Sequence, residues 1–242
     1  MKQEIKSKET QDLIINTSFE LFYEKGYNAT SIPDIMKKTS LSKGAFYHHF
    51  KNKHEIGKKV IEVILRKRIK EGFIQPLNET FQGTVPELLL EVFTKRIKNY
   101  TEREKALGCP ANNLVGEIGY TEQDFRVILK ALFEEWREAL IKVLETGKSA
   151  GEIKKDVNSS AIAISLICAF EGVRGIRKVY DSDTIFNENH LNEFPSSFTN
   201  TILKNTNFSS INNLKKDLKK SKKFIWDKLN NYLNNKKDGI NL

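Results

Sequence analysis

The sequence predicts an all-α chain: a small N-terminal three-helix unit with a helix-turn-helix corner, followed by a larger helical body. Three observations predict it. Ser, Thr or Asn recurs three residues before an acidic residue, the spacing at which the two side chains satisfy the free N–H groups of a first helical turn. The stretches that follow carry apolar residues every three to four positions. Glycines at 26, 119 and 151 and the run Gly108-Cys109-Pro110 stand where those stretches stop.

Residues 1–9 are polar and read as a mobile arm. From Thr10 to Lys25, Ile14, Ile15, Phe19, Leu21 and Phe22 keep helical spacing; Gly26 stops the helix and Tyr27 supplies the apolar contact beyond it. Ser31 and Asp34 cap a second helix, in which Pro33 sits where a missing N–H costs nothing. Ile32, Ile35 and Met36 give it one apolar face, and Thr39 to Leu41 form the corner. Ser42 is the N-cap of a third short helix carrying Lys43, Gly44, Ala45, Tyr47, His48 and His49. Asn52 and Glu55 open a long helix to about Glu71, with Val60, Ile61, Ile64 and Leu65 as its stripe. These elements make residues 10–70 one unit.

The outer side of the third helix is small at first, then aromatic and basic. Small residues let a helix N-terminus approach a major groove, where Lys43 meets phosphate and Tyr47 and His48 reach phosphate or a thymine methyl. Thr30, at the entry to the second helix, can bond a phosphate or act as a plain cap, and the two roles are compatible. Lys53 lies in a first turn, where the helix dipole disfavours a cation, and that placement points to a nearby phosphate. An ordinary helical corner with a solvated basic face has the same capping pattern.

The body, residues 71–205, begins with a broken connection over residues 72–83, which contain Gly72, Pro76 and Gly83. Thr84 and Glu87 cap a helix expected to end near Ala106, with Leu88, Leu89, Val92, Phe93, Ile97 and Tyr100 on its apolar side. A short helix spans Leu114 to Ile118. A long one opens at Thr121 and Asp124 and carries Phe125, Leu129, Phe133, Trp136 and Leu140. Asn158 or Ser159 starts the next. Its Ala161, Ser165, Cys168, Gly172 and Gly175, with Ile164 and Ile176 between them, form a small-residue face suited to close approach of another helix. Residues 206–242 read as a basic amphipathic extension.

Charge is distributed unevenly. The 242 residues carry net +9, but residues 1–70 hold 15 Lys and Arg against 8 Asp and Glu, residues 71–205 hold 16 against 20, and residues 206–242 hold 9 against 3. A basic head on an acidic body places a polyanion-binding surface in the first segment. Two cysteines, Cys109 and Cys168, exclude a disulfide framework and fit a reducing cytoplasm; both read as small buried hydrophobes. The apolar run Ala161 to Phe170 is too short to span a bilayer. No metal-ligand spacing, phosphate loop or nucleophile elbow occurs, so neither cofactor nor enzymatic activity is expected.

The stretch LFYEKGYNATSIPDIMKKTSLSKGAFYHHFKNKHEI, residues 21–56, resembles the DNA-binding segment of the TetR family of bacterial one-component regulators. The likeness runs from about Thr10 to Ile64 through the D-I corner, the S-K-G start of the third helix, the Y-H-H-F run and K-N-K-x-E. It implies double-stranded operator DNA as partner, with Thr30, Ser31, Ser42, Lys43, Gly44, Ala45, Tyr47, His48 and Lys53 at the contact. It also implies a homodimer through the Ala161–Ile176 face and a second helix over residues 185–205. A small hydrophobic or amphipathic effector is implied in a body pocket lined by Phe93, Tyr100, Asn112, Asn113, Phe133, Trp136, Phe170, Glu171 and Arg174. The expected function is a cytoplasmic repressor released by that effector. The alternative is a helical interaction protein whose basic C-terminal helix binds a membrane surface or a protein.

Overall fold

The computed structural model describes residues 2–180. These belong to one structural unit, residues 1–203, so head and body are not separate units. The second dimer helix expected over residues 185–205 and the basic extension expected over 206–242 lie outside the described residues. Among the described residues there are nine helices and no strand.

Helix α1 spans Lys2–Lys25, α2 Ile32–Thr39 and α3 Lys43–His49. Its start corrects the reading of residues 1–9 as an arm. That stretch has neither Gly nor Pro and places Glu4 in the first turn, where the helix dipole favours it. Gly26, at φ +92°, ends α1 in the left-handed region as its sequence context required. Ser31 and Asp34 form the reciprocal capping box of α2, and Ser42 accepts from the Ala45 N–H at the start of α3.

Helix α4 covers residues 53–78 without a break. α-Helical turns at Lys53–Lys59, Arg66–Ile69 and Gln75–Asn78 alternate with wider π turns at Val60–Leu65 and Lys70–Ile74. The broken connection expected from residue 72 is therefore wrong in its first half. A proline at 76 would clash with the carbonyl four residues back in a regular α-helix. The wide turn just before it, in which the Gln75 N–H reaches the Lys70 carbonyl, relieves that crowding.

Helix α5 is Val85–Lys98 and α6 is Glu102–Leu107, where one helix to Ala106 was expected. Thr101 and Glu104 form a third complete capping box, after Ser31 with Asp34 and Thr84 with Glu87, and restart the chain. Helix α7 is Pro110–Ile118, α8 Gln123–Ser149 and α9 Ser159–Arg177, with Asn158 as N-cap of α9. The central helix is α8, which packs against α4, α5, α7 and α9. By length and composition α9 could cross a membrane, contrary to the estimate from its apolar run; in the fold its Ala163, Leu166, Ile167 and Phe170 are buried.

The core is continuous from head to body. Ile35, Phe46 and Ile56 are fully buried in the head; Phe93, Trp136 and Phe170 are fully buried in the body. At the joint the Tyr27 and Phe125 rings meet edge to face at 5.3 Å. Gly57 lies against that pair so closely that an added Cβ would fall 2.7 Å from Phe125. Lys58 Nζ donates to Asp124 Oδ2 at 2.6 Å across the same joint.

Candidate nucleic-acid interface

The recognition surface follows from how α3 is held. Phe46 is fully buried and Phe50, just past the helix, nearly so, which fixes the inner face. Ser42, Lys43, Gly44 and His48 then stand exposed, Ala45 is half-buried, and Tyr47 keeps 43% of its surface in solvent, its ring edge to face with Phe46 at 5.5 Å. Gly44 deserves a reason, because glycine in a helix costs about 1 kcal/mol against alanine. No described atom lies within 4 Å of where a Cβ would stand, so packing among the described residues does not account for it. The open space would admit the close approach of an external backbone.

Two expected contacts are corrected. Thr30 is only 1% exposed, and its hydroxyl donates to the Gly26 carbonyl at 2.8 Å. It braces the turn between α1 and α2 and does not face outward. Lys53 Nζ donates to the Tyr27 and Thr30 carbonyls, both at 2.9 Å, and sits 4.4 Å above the Tyr27 ring. Partial burial lowers its pKa. A cation in that first turn is thus explained by the carbonyls it neutralises. Ser31 is exposed, with its hydroxyl engaged by Asp34 in the capping box.

Lys53→Met is expected to destabilise the fold by about 1–2 kcal/mol, since it removes the donor from the Thr30 carbonyl and leaves the Tyr27 carbonyl with the Thr30 N–H alone. The dependence of DNA affinity on salt should stay unchanged. Thermal melting checks the first effect and binding at several salt concentrations the second. A salt slope reduced by about one with unchanged melting would place Lys53 on a phosphate instead.

The expected body pocket is partly assembled. Trp136 lies 4.1 Å from Phe73 and 5.8 Å from Phe170, centroid to centroid, and Phe93 packs on Phe170 at 5.5 Å. Beside them is a cavity of about 20 Å³ lined by Arg68, Phe73, Arg96, Cys109, Trp136, Glu171 and Arg174. Of the residues expected to line a pocket, Trp136, Glu171 and Arg174 do so here; Phe93, Tyr100, Asn112, Asn113, Phe133 and Phe170 do not. Asn113 bridges the Leu107 carbonyl and Lys178, closing the α6–α7 corner.

Glu171 and Arg174 are each 8% exposed. Their nearest approach is 3.9 Å, and Arg174 Nη2 donates to the Gly108 carbonyl. Burial raises the Glu171 pKa, with the Arg174 charge opposing it. Burial likewise pushes the Cys109 thiol up to about 12, which leaves little thiolate; Cys168 is exposed, contrary to the reading of both as buried. Sequence reasoning missed Arg68 and Arg96. Each follows an apolar residue by three positions, Leu65 and Phe93, and so stands at the edge of its helix's apolar stripe.

On α9, Ala161, Ser165 and Cys168 are exposed, Ile164 and Ile176 are 45% and 58% exposed, and Gly172 and Gly175 are half-buried. No described atom lies within 4 Å of where a Cβ would stand on either glycine, so the described chain does not pack there. Among the described residues no group of His, Cys, Asp and Glu could hold a metal ion.

Residues 14–59 match the family described as bacterial regulatory proteins, tetR family, and residues 87–190 match the tetracyclin repressor-like C-terminal domain. The transcriptional regulator AcuR of Cereibacter sphaeroides is 29% identical over 66% of this chain and 72% of its own. An uncharacterised HTH-type transcriptional regulator of Lactococcus lactis subsp. lactis is 30% identical over 56% and 68%. The crystal structure of a TetR transcriptional regulator from Chloroflexus aurantiacus superposes with a TM-score of 0.71 at 25% identity, covering 82% of this chain and 98% of that one. The matches span head and body alike, and the exposed α3 lies inside the first of them: this chain belongs to the TetR family of bacterial DNA-binding regulators.

Proposed function

We propose that the chain is a cytoplasmic homodimeric repressor that leaves its operator when a small hydrophobic or amphipathic effector enters the body. The observation that carries this reading is the face of α3: Lys43, Gly44, Tyr47 and His48 project from a helix whose other side is locked by Phe46. One head reads one half-site, and two related by a dimer axis read a near-palindrome. The unpacked small-residue face of α9 supports the dimer, and the polar cavity beneath α5 and α9 supports the effector.

Effector and DNA would favour different tilts of α4, which joins head to body, so each weakens the other by one coupling free energy. Titration of the chain's own promoter region, at several salt concentrations, tests the reading. Nanomolar affinity that falls steeply as salt rises is expected. Affinity no better than for random duplex would overturn it.

A further inference from the structure

We propose that the body cavity is a carboxylate site, with Arg96 and Arg174 as its anion-binding pair and Arg96 as the wall that moves to admit the ligand. The inference rests on the effector reading above and names the ligand's chemistry.

The first argument is the imbalance of polar groups. Arg96 Nε, Arg174 Nε, Trp136 Nε1 and the neighbouring Tyr100 hydroxyl are buried without a hydrogen-bond partner among the described residues. Against these donors stands one unpartnered acceptor, Glu171 Oε2. Buried polar groups are normally paired, and each one left over is costly. A site rich in free N–H and O–H groups is completed by a ligand that accepts.

The second is charge. Three guanidinium groups line the cavity: Arg68 pairs with Glu104, Arg174 has Glu171 at a longer distance, and Arg96 has no carboxylate partner among the described residues. Glu171 is held 3.9 Å from Arg174, and burial favours its neutral form. The guanidinium groups of Arg96 and Arg174 lie 5.4 Å and 4.4 Å from the Tyr100 ring; Arg174 Nη2 is engaged by the Gly108 carbonyl, and the Nε–H of each arginine is left without a partner among the described residues. The remaining walls, Leu65, Ile69, Phe73 and Trp136, are apolar. Planar cationic donors over an apolar floor fit a small monocarboxylate with a hydrocarbon tail.

The third is access. At about 20 Å³ the cavity has room for about one water molecule. Outside it, between the end of α4 and α5, runs a groove of about 350 Å³ that includes Gly72, Phe81, Leu88 and Val92. Arg96 lines both spaces. It rests on Gly72, where an added Cβ would fall 2.9 Å from Nε. Swinging this one half-exposed side chain joins groove to cavity without moving the backbone.

Calorimetric titration of the full chain with sodium butyrate and sodium benzoate tests the proposal. Butyramide, benzamide and sodium chloride at equal ionic strength serve as controls. At least one carboxylate should bind saturably while its amide does not. Arg96→Gln should weaken that binding at least tenfold, and Arg96→Lys should restore part of it. Arg174→Gln should abolish it, but Arg174 also holds Gly108, so Arg96→Gln is the deciding variant. Absence of saturable carboxylate binding, equal binding of the amides, or full affinity in Arg96→Gln would overturn the proposal. Operator titration of the same samples separates the two readings. Operator binding without carboxylate binding sinks the site alone; carboxylate binding without operator binding sinks the regulator alone.

Discussion

Tyr47→Ala, present in both heads of a dimer, is expected to weaken operator binding by roughly 30- to 1,000-fold, taking about 1–2 kcal/mol per head. The estimate starts from where the ring stands. Tyr47 is 43% exposed on the outer face of α3, and its packing partner within the chain is the edge of Phe46. Truncating a half-exposed side chain with so few internal contacts should change stability by only about 0.5 kcal/mol. Binding and folding are therefore separable at this position. A Lys43→Ala companion should lower affinity for all sequences alike and flatten the salt slope by about one per head. Fluorescence anisotropy with operator and scrambled duplexes measures both effects, and melting curves confirm that the variants are folded. Unaltered operator affinity in Tyr47→Ala would move the contact surface off α3.

The second large effect is on the fold. Trp136→Ala should destabilise the protein by about 3–5 kcal/mol and lower its melting temperature by roughly 6–20 °C. Trp136 is fully buried on the central helix and meets Phe73, Phe93 and Phe170 from α4, α5 and α9. Three helices thus lose their shared partner on α8 at once, and the void cannot collapse without shifting them. Trp136→Phe, which keeps an aromatic ring, should cost less. Circular dichroism on heating or in urea gives the numbers. A melting temperature equal to that of the parent chain would mean that this cluster does not hold the helices together.

Much of the head was legible because its signals are local. Ser31 with Asp34, Ser42, Asn52 and Gly26 each act on backbone groups within a few residues, and the structure places each as a cap or stop. Where the outcome depended on distant partners, the sequence was silent. Lys53 looked misplaced until the carbonyls of Tyr27 and Thr30, more than twenty residues earlier, came beside it. Thr30 was ambiguous because a hydroxyl that braces a turn and one that meets a phosphate have the same identity. Pro76 was read as a breaker because the π turn that accommodates it has no residue signature. The split at Thr101 was legible in principle, since Thr101 and Glu104 repeat the spacing used at Thr84 and Glu87. The cavity was half-visible: its aromatic wall keeps helical period, but Arg96 and Arg68 become neighbours of Arg174 only after α4, α5 and α9 meet.

The Gly108 carbonyl accepts the Tyr23 hydroxyl of α1 at 2.7 Å and the Arg174 guanidinium of α9 at the same distance. A carbonyl oxygen has two lone pairs, and here one is held from the first helix of the head and the other from the last described helix of the body. Grafting this head onto a foreign body without an equivalent oxygen would leave the Tyr23 hydroxyl without its acceptor.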